Sequence, residues 1–189
     1  MSKTRKIVIT IGGLHGVGKS TYATSLAKLF RLRHISAGNT FRKIAKQQGL
    51  NLHQLTLKAV KDPSIDKLVD DLTKKEARTG NIVIDAQLAA WMTRNRSDIN
   101  FLLQAKDKTR YKRIASRDRI SLSEARKQTL EREIIEKKRY KHYYNVNIAD
   151  NSIYDIILNT ELLPLKSTIN ILHQIVNMYI TQPKRGILK

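Results

Sequence analysis

Cysteine is absent from this 189-residue chain, and proline and glycine are scarce, with 3 and 8 residues respectively. The lack of cysteine excludes a disulfide scaffold, a thiolate zinc site and a cysteine nucleophile. So few prolines and glycines also exclude a collagen-like or low-complexity chain. Since 41% of the residues are hydrophobic, we expect a single compact domain with a buried core.

The sequence also has no long apolar run. No run approaches the ~20 residues that a membrane-spanning helix needs. The basic start at residues 1–6 leads into a short apolar strand rather than the apolar core of a signal peptide. We therefore expect a cytoplasmic protein with no membrane partner, and a chain end that frays over residues 182–189.

Acidic residues are in short supply. There are 16 Asp and Glu against 36 Lys and Arg, so the formal net charge is +20. This excess fits a partner rich in phosphate, whether a nucleotide, a polynucleotide or an anionic membrane surface. The net charge does not distinguish these three kinds of partner. Basic residues are densest at residues 110–141, a pattern that by itself is typical of a solvated helix face.

Short apolar runs alternate with helical patterns along the chain. The runs predict strands at residues 6–12, 34–37, 82–85, 99–103 and 156–158. Helical spacing lies between and after them, at 21–30, 38–48, 64–79, 109–117, 121–144 and 167–180, with one further helix that begins at Asn51. Asn51 and Ser64 are expected to cap the helices that follow them, and Gly49 is expected to close the helix before Asn51. Strict alternation of this kind predicts an α/β fold, a five-stranded parallel sheet with helices on both faces.

Residues 13–20 match the phosphate-binding pattern G-x-x-x-x-G-K-[ST] between the first predicted strand and the first predicted helix. Its glycines let the loop turn tightly and direct N–H groups at phosphate oxygens. Lys19 is expected to reach the β- and γ-phosphates of ATP as a catalytic cation, and Ser20 to bind Mg²⁺. His15 is expected to contribute only its backbone. The predicted ATP-binding residues are Gly13, Leu14, His15, Gly16, Val17, Gly18, Lys19, Ser20 and Thr21.

Polar residues follow two further strands, where ligands bind in open parallel sheets. Arg42 comes early in the helix after the second strand, and its planar guanidinium suits a phosphate monoester. Asp85 ends the third strand and is in place to hold Mg²⁺ through water. We expect Ser36, Gly38, Arg42 and Gln87 to bind the phosphate acceptor.

The basic stretch suits a lid over such a site. A transferring phosphoryl group spreads negative charge over its oxygens, and cations positioned by a closing lid stabilise that charge. Arg113 and Arg117 share one helix face, and Arg132 and Arg139 share a face of the next helix with Glu136, which is expected to orient both. We predict Arg117, Arg132 and Arg139 as catalytic lid cations, with a weaker role for Arg113.

Taken together and in order, these motifs resemble the archaeal-type cytidylate kinases of the nucleoside monophosphate kinase group. The resemblance extends from residue 6 to about residue 180. It rests on residues 13–21, SAGNTFR at 36–42, LAAW at 88–91, RIASR at 113–117, KRY at 138–140, YY at 143–144 and DNSIYD at 150–155. It implies a helical acceptor-binding segment at about 38–80 and a helical lid at about 113–144. The implied reaction transfers the γ-phosphoryl group of ATP to CMP, and to dCMP, with Mg²⁺.

Two positions depart from the family pattern. The chain has Ala86 and Gln87 after Asp85 where Gly and Arg are common, and Asn39 where an Asp is common. Gln87 can hydrogen-bond a base or a phosphate but carries no charge, which leaves the acceptor base open. A kinase of the same fold acting on AMP or UMP is therefore one alternative, and a basic P-loop protein that binds RNA is another. Residues 36–42 argue against shikimate as the acceptor, and a monomer is expected.

Overall fold

The computed structural model describes residues 6–182, so the predicted fraying of 183–189 lies outside the described part of the chain. The strands are β1 (Val8–Gly12), β2 (Arg33–Ser36), β3 (Ile82–Asp85), β4 (Ile99–Gln104) and β5 (Ile156–Asn159). The helices are α1 (Lys19–Leu29), α2 (Ala37–Gln47), α3 (Leu52–Lys61), α4 (Ser64–Thr79), α5 (Ala89–Met92), α6 (Asp107–Asp118), α7 (Leu122–Tyr144) and α8 (Leu165–Thr181).

The five strands form one parallel sheet in the order β2-β3-β1-β4-β5. This confirms the predicted α/β fold. Strand β1 lies at the centre and is buried at every position, as its unbroken apolar run predicts. Because all strands run the same way, Gly12, Ser36 and Asp85 meet at the carboxyl edge of the sheet, and the polar segments that follow them meet there too.

Two apolar cores hold the site from different sides. The larger one joins the sheet to α1 and α8 through residues such as Ile9, Leu26, Phe101 and Leu172. A separate cluster, which includes Phe41 and Leu55, joins α2, α3 and α4 to one another. The helices between β2 and β3 therefore form a unit with its own core beside the sheet, over the range predicted to be the acceptor-binding segment.

Helix ends agree with the sequence at most of the positions singled out. Asn51 forms a capping box with Gln54 at the start of α3, and Gly49 follows α2 with a φ of 65°, which suits glycine. Ser64 does not cap α4 as predicted. It is the first helical residue, and its N–H donates instead to the Asp62 carboxylate at 3.1 Å. The short helix α5 was not expected, because four residues are too few to show a helical period.

Among residues 6–182, none of the helices is at once long enough and apolar enough to cross a membrane.

Candidate active site: a phosphate loop facing three helices

The glycines of the loop between β1 and α1 adopt backbone conformations that other residues avoid. Gly13, Gly16 and Gly18 have φ values of 127°, 80° and 98°. The space around these glycines also excludes a side chain. A Cβ on Gly13 would lie 2.3 Å from the Leu103 carbonyl oxygen, and one on Gly16 would lie 2.5 Å from the Arg110 carbonyl oxygen. The loop is therefore fixed against β4 and α6 in the shape that a phosphate cradle needs.

Main-chain donors of this loop remain available for a ligand. Within residues 6–182, the N–H groups of residues 16–20 donate to no protein acceptor. The ammonium group of Lys19 donates to the carbonyl oxygens of Gly13 and Leu14, at 2.7 and 2.9 Å. Burial lowers the pKa of Lys19 to about 8. A row of free amides, the N-terminus of α1 and a desolvated ammonium together make a strong anion site.

One cavity of about 1110 Å³ connects this loop to the acceptor-side helices. It brings together most of the predicted site residues, namely His15, Gly16, Gly18, Lys19, Ser20, Thr21, Ser36, Gly38, Arg42, Asp85, Gln87, Arg113, Arg117, Arg132 and Arg139. Gly13, Leu14 and Val17 are not part of its lining. The Val17 side chain is 1% exposed and packs in the main core instead, so the group of this residue that remains for ATP is its backbone N–H.

Ser20 and Asp85 fit the expected Mg²⁺ position. Both line the cavity, Ser20 at the start of α1 and Asp85 at the end of β3. The Asp85 carboxylate is buried and lies 3.1 Å from Nε2 of His34, which orients it. The described residues contain no cluster of three or more metal-binding side chains. Few protein ligands are what a Mg²⁺ ion needs when it arrives with a nucleotide, because phosphate oxygens and water complete its shell.

Arg42 reaches the cavity from α2. Its Nη2 donates to Oδ1 of Asn39, one turn earlier, and Ser36 starts the helix by accepting from the Asn39 N–H at 3.3 Å. Asn39, where the family pattern has an acid, thus fixes Arg42 without neutralising it. Burial, together with Arg117 and Arg132, lowers the pKa of Arg42. Three guanidinium groups therefore converge on one space, an arrangement that an anionic ligand would stabilise.

His15 contributes more than its backbone, so that expectation is wrong. Its Nε2 lies 2.7 Å from the buried carboxylate of Glu136 on α7 and 3.0 Å from Nε2 of Gln87. Burial lowers the pKa of His15 to about 4, which keeps the ring neutral near pH 7. The loop is thereby joined to the lid helix and to the turn after β3. Gln87 lies where a ligand could reach it, but its amide already faces the loop.

Glu136 orients only one of the two arginines assigned to it. It accepts from Nε of Arg132 at 2.7 Å. Burial by itself would raise the pKa of Glu136, but Arg132 and His15 outweigh that effect and hold it well below its usual range. Arg139 is instead paired with Asp66 on α4, with its Nε 2.6 Å from the carboxylate, and its Nη1 donates to the Thr56 carbonyl oxygen at 3.2 Å.

The other lid arginines divide in a similar way. Arg117 is half-exposed at the cavity rim and pairs with its neighbour Asp118. Arg113 donates to the carbonyl oxygen of Val17 and to the hydroxyl and carbonyl oxygens of Thr160. It therefore joins the phosphate loop to the end of β5, in keeping with its weaker predicted role. All three predicted lid cations line the cavity. Arg132 and Arg139 are each paired with a buried carboxylate, Glu136 and Asp66 respectively, whereas Arg117 is paired with an exposed one.

Sequence reasoning missed three groups of residues around the cavity. Residues 160–165, after β5, line it beside the phosphate loop, and Asp66, Val69 and Asp70 line it from α4. Arg110 is 2% exposed and donates to Glu133 and to the His15 carbonyl oxygen, which ties α6, α7 and the loop together. The first group could have been found from its place after the last parallel strand. The others carried no signal, because a helix period identifies a face but not the partner of that face.

The fold and the site together define a P-loop kinase: a parallel sheet, a phosphate loop at its carboxyl edge, and arginines around a second subsite. Comparison with known proteins agrees. Residues 9–139 match the family model described as an AAA domain. The chain is 43% identical over 176 residues to a cytidylate kinase of Staphylothermus marinus, covering 93% of this chain and 99% of that protein. It is 42% identical to a cytidylate kinase of Ignicoccus hospitalis, covering 82% and 91%. The chain belongs to the archaeal cytidylate kinase family of P-loop phosphotransferases.

Among solved structures, a shikimate kinase from Acinetobacter baumannii in complex with shikimate superposes with a TM-score of 0.62 at 12% identity. The match covers 95% of this chain and 97% of that one. This likeness concerns the fold alone.

Proposed function

We propose that the protein transfers the γ-phosphoryl group of ATP to CMP, and to dCMP, giving ADP and the diphosphate. The observation that carries this is a single cavity with two anion-binding ends, the phosphate loop on one side and Arg42 on the other. A phosphoryl transfer between two nucleotides needs both ends, whereas a nucleotide hydrolase needs only the first. The choice of cytosine as the base of the acceptor nucleotide rests on the similarity to proteins named cytidylate kinase.

The donor end holds the triphosphate through backbone groups. The amides of residues 16–20 and the ammonium of Lys19 bind the β- and γ-phosphates, and residues 160–165 border the space next to the loop where the adenosine would lie. Mg²⁺, held by Ser20 and through water by Asp85, neutralises charge on the phosphates when bound. Arg117 and Arg132 stabilise the charge that spreads over the transferring group.

The acceptor end holds the monophosphate. Arg42 binds the phosphate of CMP with its guanidinium, and Ser36 and Gly38 place that guanidinium by starting α2 close to the end of β2. A phosphate oxygen of CMP then attacks the γ-phosphorus, and the bond between that phosphorus and the bridging oxygen of ADP breaks. Correct placement of the two nucleotides accounts for most of the catalysis, because little covalent chemistry is required of the protein.

The test is a panel of nucleoside monophosphates, each assayed for ADP release with ATP and Mg²⁺. We expect CMP and dCMP to give the largest kcat/KM. A control without acceptor measures ATP hydrolysis. Turnover with AMP and none with CMP would reject the base assignment, and ADP release that no monophosphate stimulates would reject the kinase assignment.

A further inference from the structure

One residue of the phosphate loop, His15, is held by both α6 and α7. Its N–H donates to Oε1 of Glu133 at 3.3 Å, and its carbonyl oxygen accepts from Nη1 of Arg110 at 2.8 Å. Its ring nitrogen Nε2 lies 2.7 Å from Oε2 of Glu136. Glu133 and Glu136 are three residues apart and so share one face of α7. The loop is therefore fixed to α7 through both the main chain and the side chain of His15.

The Glu136 carboxylate has one partner for each oxygen. Oε1 accepts from Nε of Arg132 at 2.7 Å, and Oε2 faces the His15 ring. Burial alone would raise the pKa of Glu136, but Arg132 and His15 hold it well below its usual range, so the group is an ion that can only accept. Nε2 of His15 must then carry the proton of the neutral ring.

Gln87 is the other neighbour of this ring nitrogen, with its own Nε2 3.0 Å away. A ring nitrogen that donates to Glu136 cannot also accept from an amide N–H, so the two contacts compete. The contact with Glu136 is shorter, and hydrogen bonds to an ionised group are about twice as strong as neutral ones. The ring is therefore held by Glu136, and the Gln87 amide satisfies the same arrangement when its oxygen faces the ring.

Arg132 is anchored at one end of its guanidinium group and free at the other. Within residues 6–182 its side chain makes one hydrogen bond, from Nε to Glu136, and its two terminal NH₂ groups donate to no protein acceptor. Arg132 lines the cavity, and its guanidinium carbon lies 5.6 Å from the centre of the Phe41 ring. The direction of the free NH₂ groups thus depends on the carboxylate that His15 fixes.

We propose that His15 is a positioning residue for phosphoryl transfer, and that it holds Arg132 at a fixed distance from the phosphate loop through Glu136. His15 belongs to the loop that binds the triphosphate, whereas Arg132 extends from α7, so this chain of contacts sets the separation of two groups that meet the transferring phosphoryl group. A misplacement of about 1 Å at such a site can lower the rate about 100-fold. This inference rests on the proposed function and adds to it a side chain that acts through another residue.

Two amide substitutions separate this role from a packing role. In His15→Gln, the amide nitrogen can take the place of ring Nε2 and donate to Glu136. In His15→Asn, the amide ends one bond earlier and cannot reach Glu136. Both side chains are neutral, as the His15 ring is near pH 7, since burial lowers the pKa of His15 to about 4.

We expect kcat for ATP and CMP to fall about 10- to 100-fold in His15→Asn and to stay within about threefold of wild type in His15→Gln. Both KM values should change by less than about threefold, because the contacts to bound substrates remain. Unchanged kcat in His15→Asn, or equal losses of kcat in the two variants, would overturn the inference. Should His15→Asn fail to fold, His15→Met, which has similar length and no donor, takes its place.

A second background shows whether His15 acts through Arg132. Arg132→Gln keeps a nitrogen near the place of Nε for Glu136 and removes the terminal NH₂ groups. His15→Asn added to it should lower kcat by less than about a further twofold, because the group that His15 positions is already gone. Losses that multiply would show that the two residues act independently, and would overturn the inference.

His53→Gln is the matched control. His53 also faces a glutamate of α7, Glu131, but the distance is 3.9 Å and the two side chains are 41% and 44% exposed. This substitution should leave kcat and both KM values unchanged. A loss of kcat as large as that in His15→Asn would mean that any contact with α7 has this effect, and the specific role of His15 would fail.

Arginine side-chain NMR follows Arg132 without a nucleotide, and so separates this inference from the proposed function. The Nε–H signal of Arg132, identified by its loss in Arg132→Gln, should exchange with solvent faster in His15→Asn than in wild type or His15→Gln. If no monophosphate stimulates ADP release, the proposed function fails, while this exchange rate still tests the placement of Arg132. Equal exchange rates in the three proteins would show that His15 does not hold Arg132.

Discussion

The two ends of the cavity are built in different ways. The donor end uses main-chain groups of one loop, with glycines at 13, 16 and 18 setting their direction. The acceptor end uses side chains from α2, α4 and α7, which come from distant parts of the chain. A site made of backbone leaves a contiguous motif in the sequence, whereas a site made of side chains depends on how helices pack. The donor end can therefore be recognised from a sequence motif. Proteins that share this fold can differ in substrate through the side chains of the acceptor end.

The largest expected effect is at the donor end. Lys19→Ala should lower kcat by about three to five powers of ten, because a positioned cation at the transferring phosphoryl group has an effect of that size. The melting temperature should change little, since within residues 6–182 the hydrogen bonds of the Lys19 ammonium group go to two loop carbonyl oxygens. Lys28→Ala, at an exposed position of the same helix, is the control. Comparable turnover of the Lys19 and Lys28 variants would contradict the assignment.

The next effect concerns the pair that anchors α7 to the acceptor side. Arg139→Met leaves the Asp66 carboxylate buried without its partner, and should reduce the free energy of unfolding by about 3 to 5 kcal/mol at pH 8. Burial raises the pKa of Asp66 to about 6 even though Arg139 lowers it. Removal of Arg139 raises it further. Protonation can then relieve the unpaired charge, so the destabilisation should shrink as the pH falls from 8 to 5.

Urea denaturation at both pH values measures this, and an exposed pair provides the comparison. Arg117→Met breaks the ion pair with Asp118, whose members are 49% and 38% exposed. That change should cost less than about 1 kcal/mol. Equal losses for the two variants would show that Arg139 is not a structural anchor, and would restore it as a free lid cation.

How far the sequence predicts this molecule follows from the same contrast. The bounds of β3 and the identity of the phosphate loop are local properties of the sequence. The apolar run at 82–84 followed by Asp85 predicts β3, and the strand-to-helix context at residues 13–20 is sufficient to recognise the loop. The face shared by Arg132, Glu136 and Arg139 was also visible as a period. Which partner each would meet was not: Glu136 contacts His15, 121 positions away in the chain, and Arg139 contacts Asp66. Such pairs depend on tertiary packing, which no local pattern encodes.

A smaller effect distinguishes the acceptor end from the donor end in kinetics. Arg42→Ala should raise the KM for CMP about 10- to 100-fold, since a charge-assisted bond to the ground-state phosphate is lost. The KM for ATP should change by less than about twofold. Lys43→Ala, the exposed neighbour on α2, is the control and should affect neither. Equal increases in both constants would place Arg42 between the two nucleotides rather than on the acceptor.

The smallest effect is a proton taken up when ATP binds to the donor end. Burial places the pKa of Lys19 at about 8 in the free protein, so at pH 9 most molecules carry the neutral amine. Triphosphate next to the amine favours the ammonium form and raises that pKa. The complex then holds more protons than the free protein, and linkage requires ATP affinity to fall as the pH rises above about 8, by at most tenfold per pH unit.

Titration calorimetry at pH 9 in two buffers of different ionisation enthalpy counts the proton directly. We expect uptake of up to one proton in wild type and a smaller uptake in Lys19→Ala. Identical proton counts for the two proteins would mean that the ammonium does not meet the triphosphate, and the donor end would then rest on backbone amides alone.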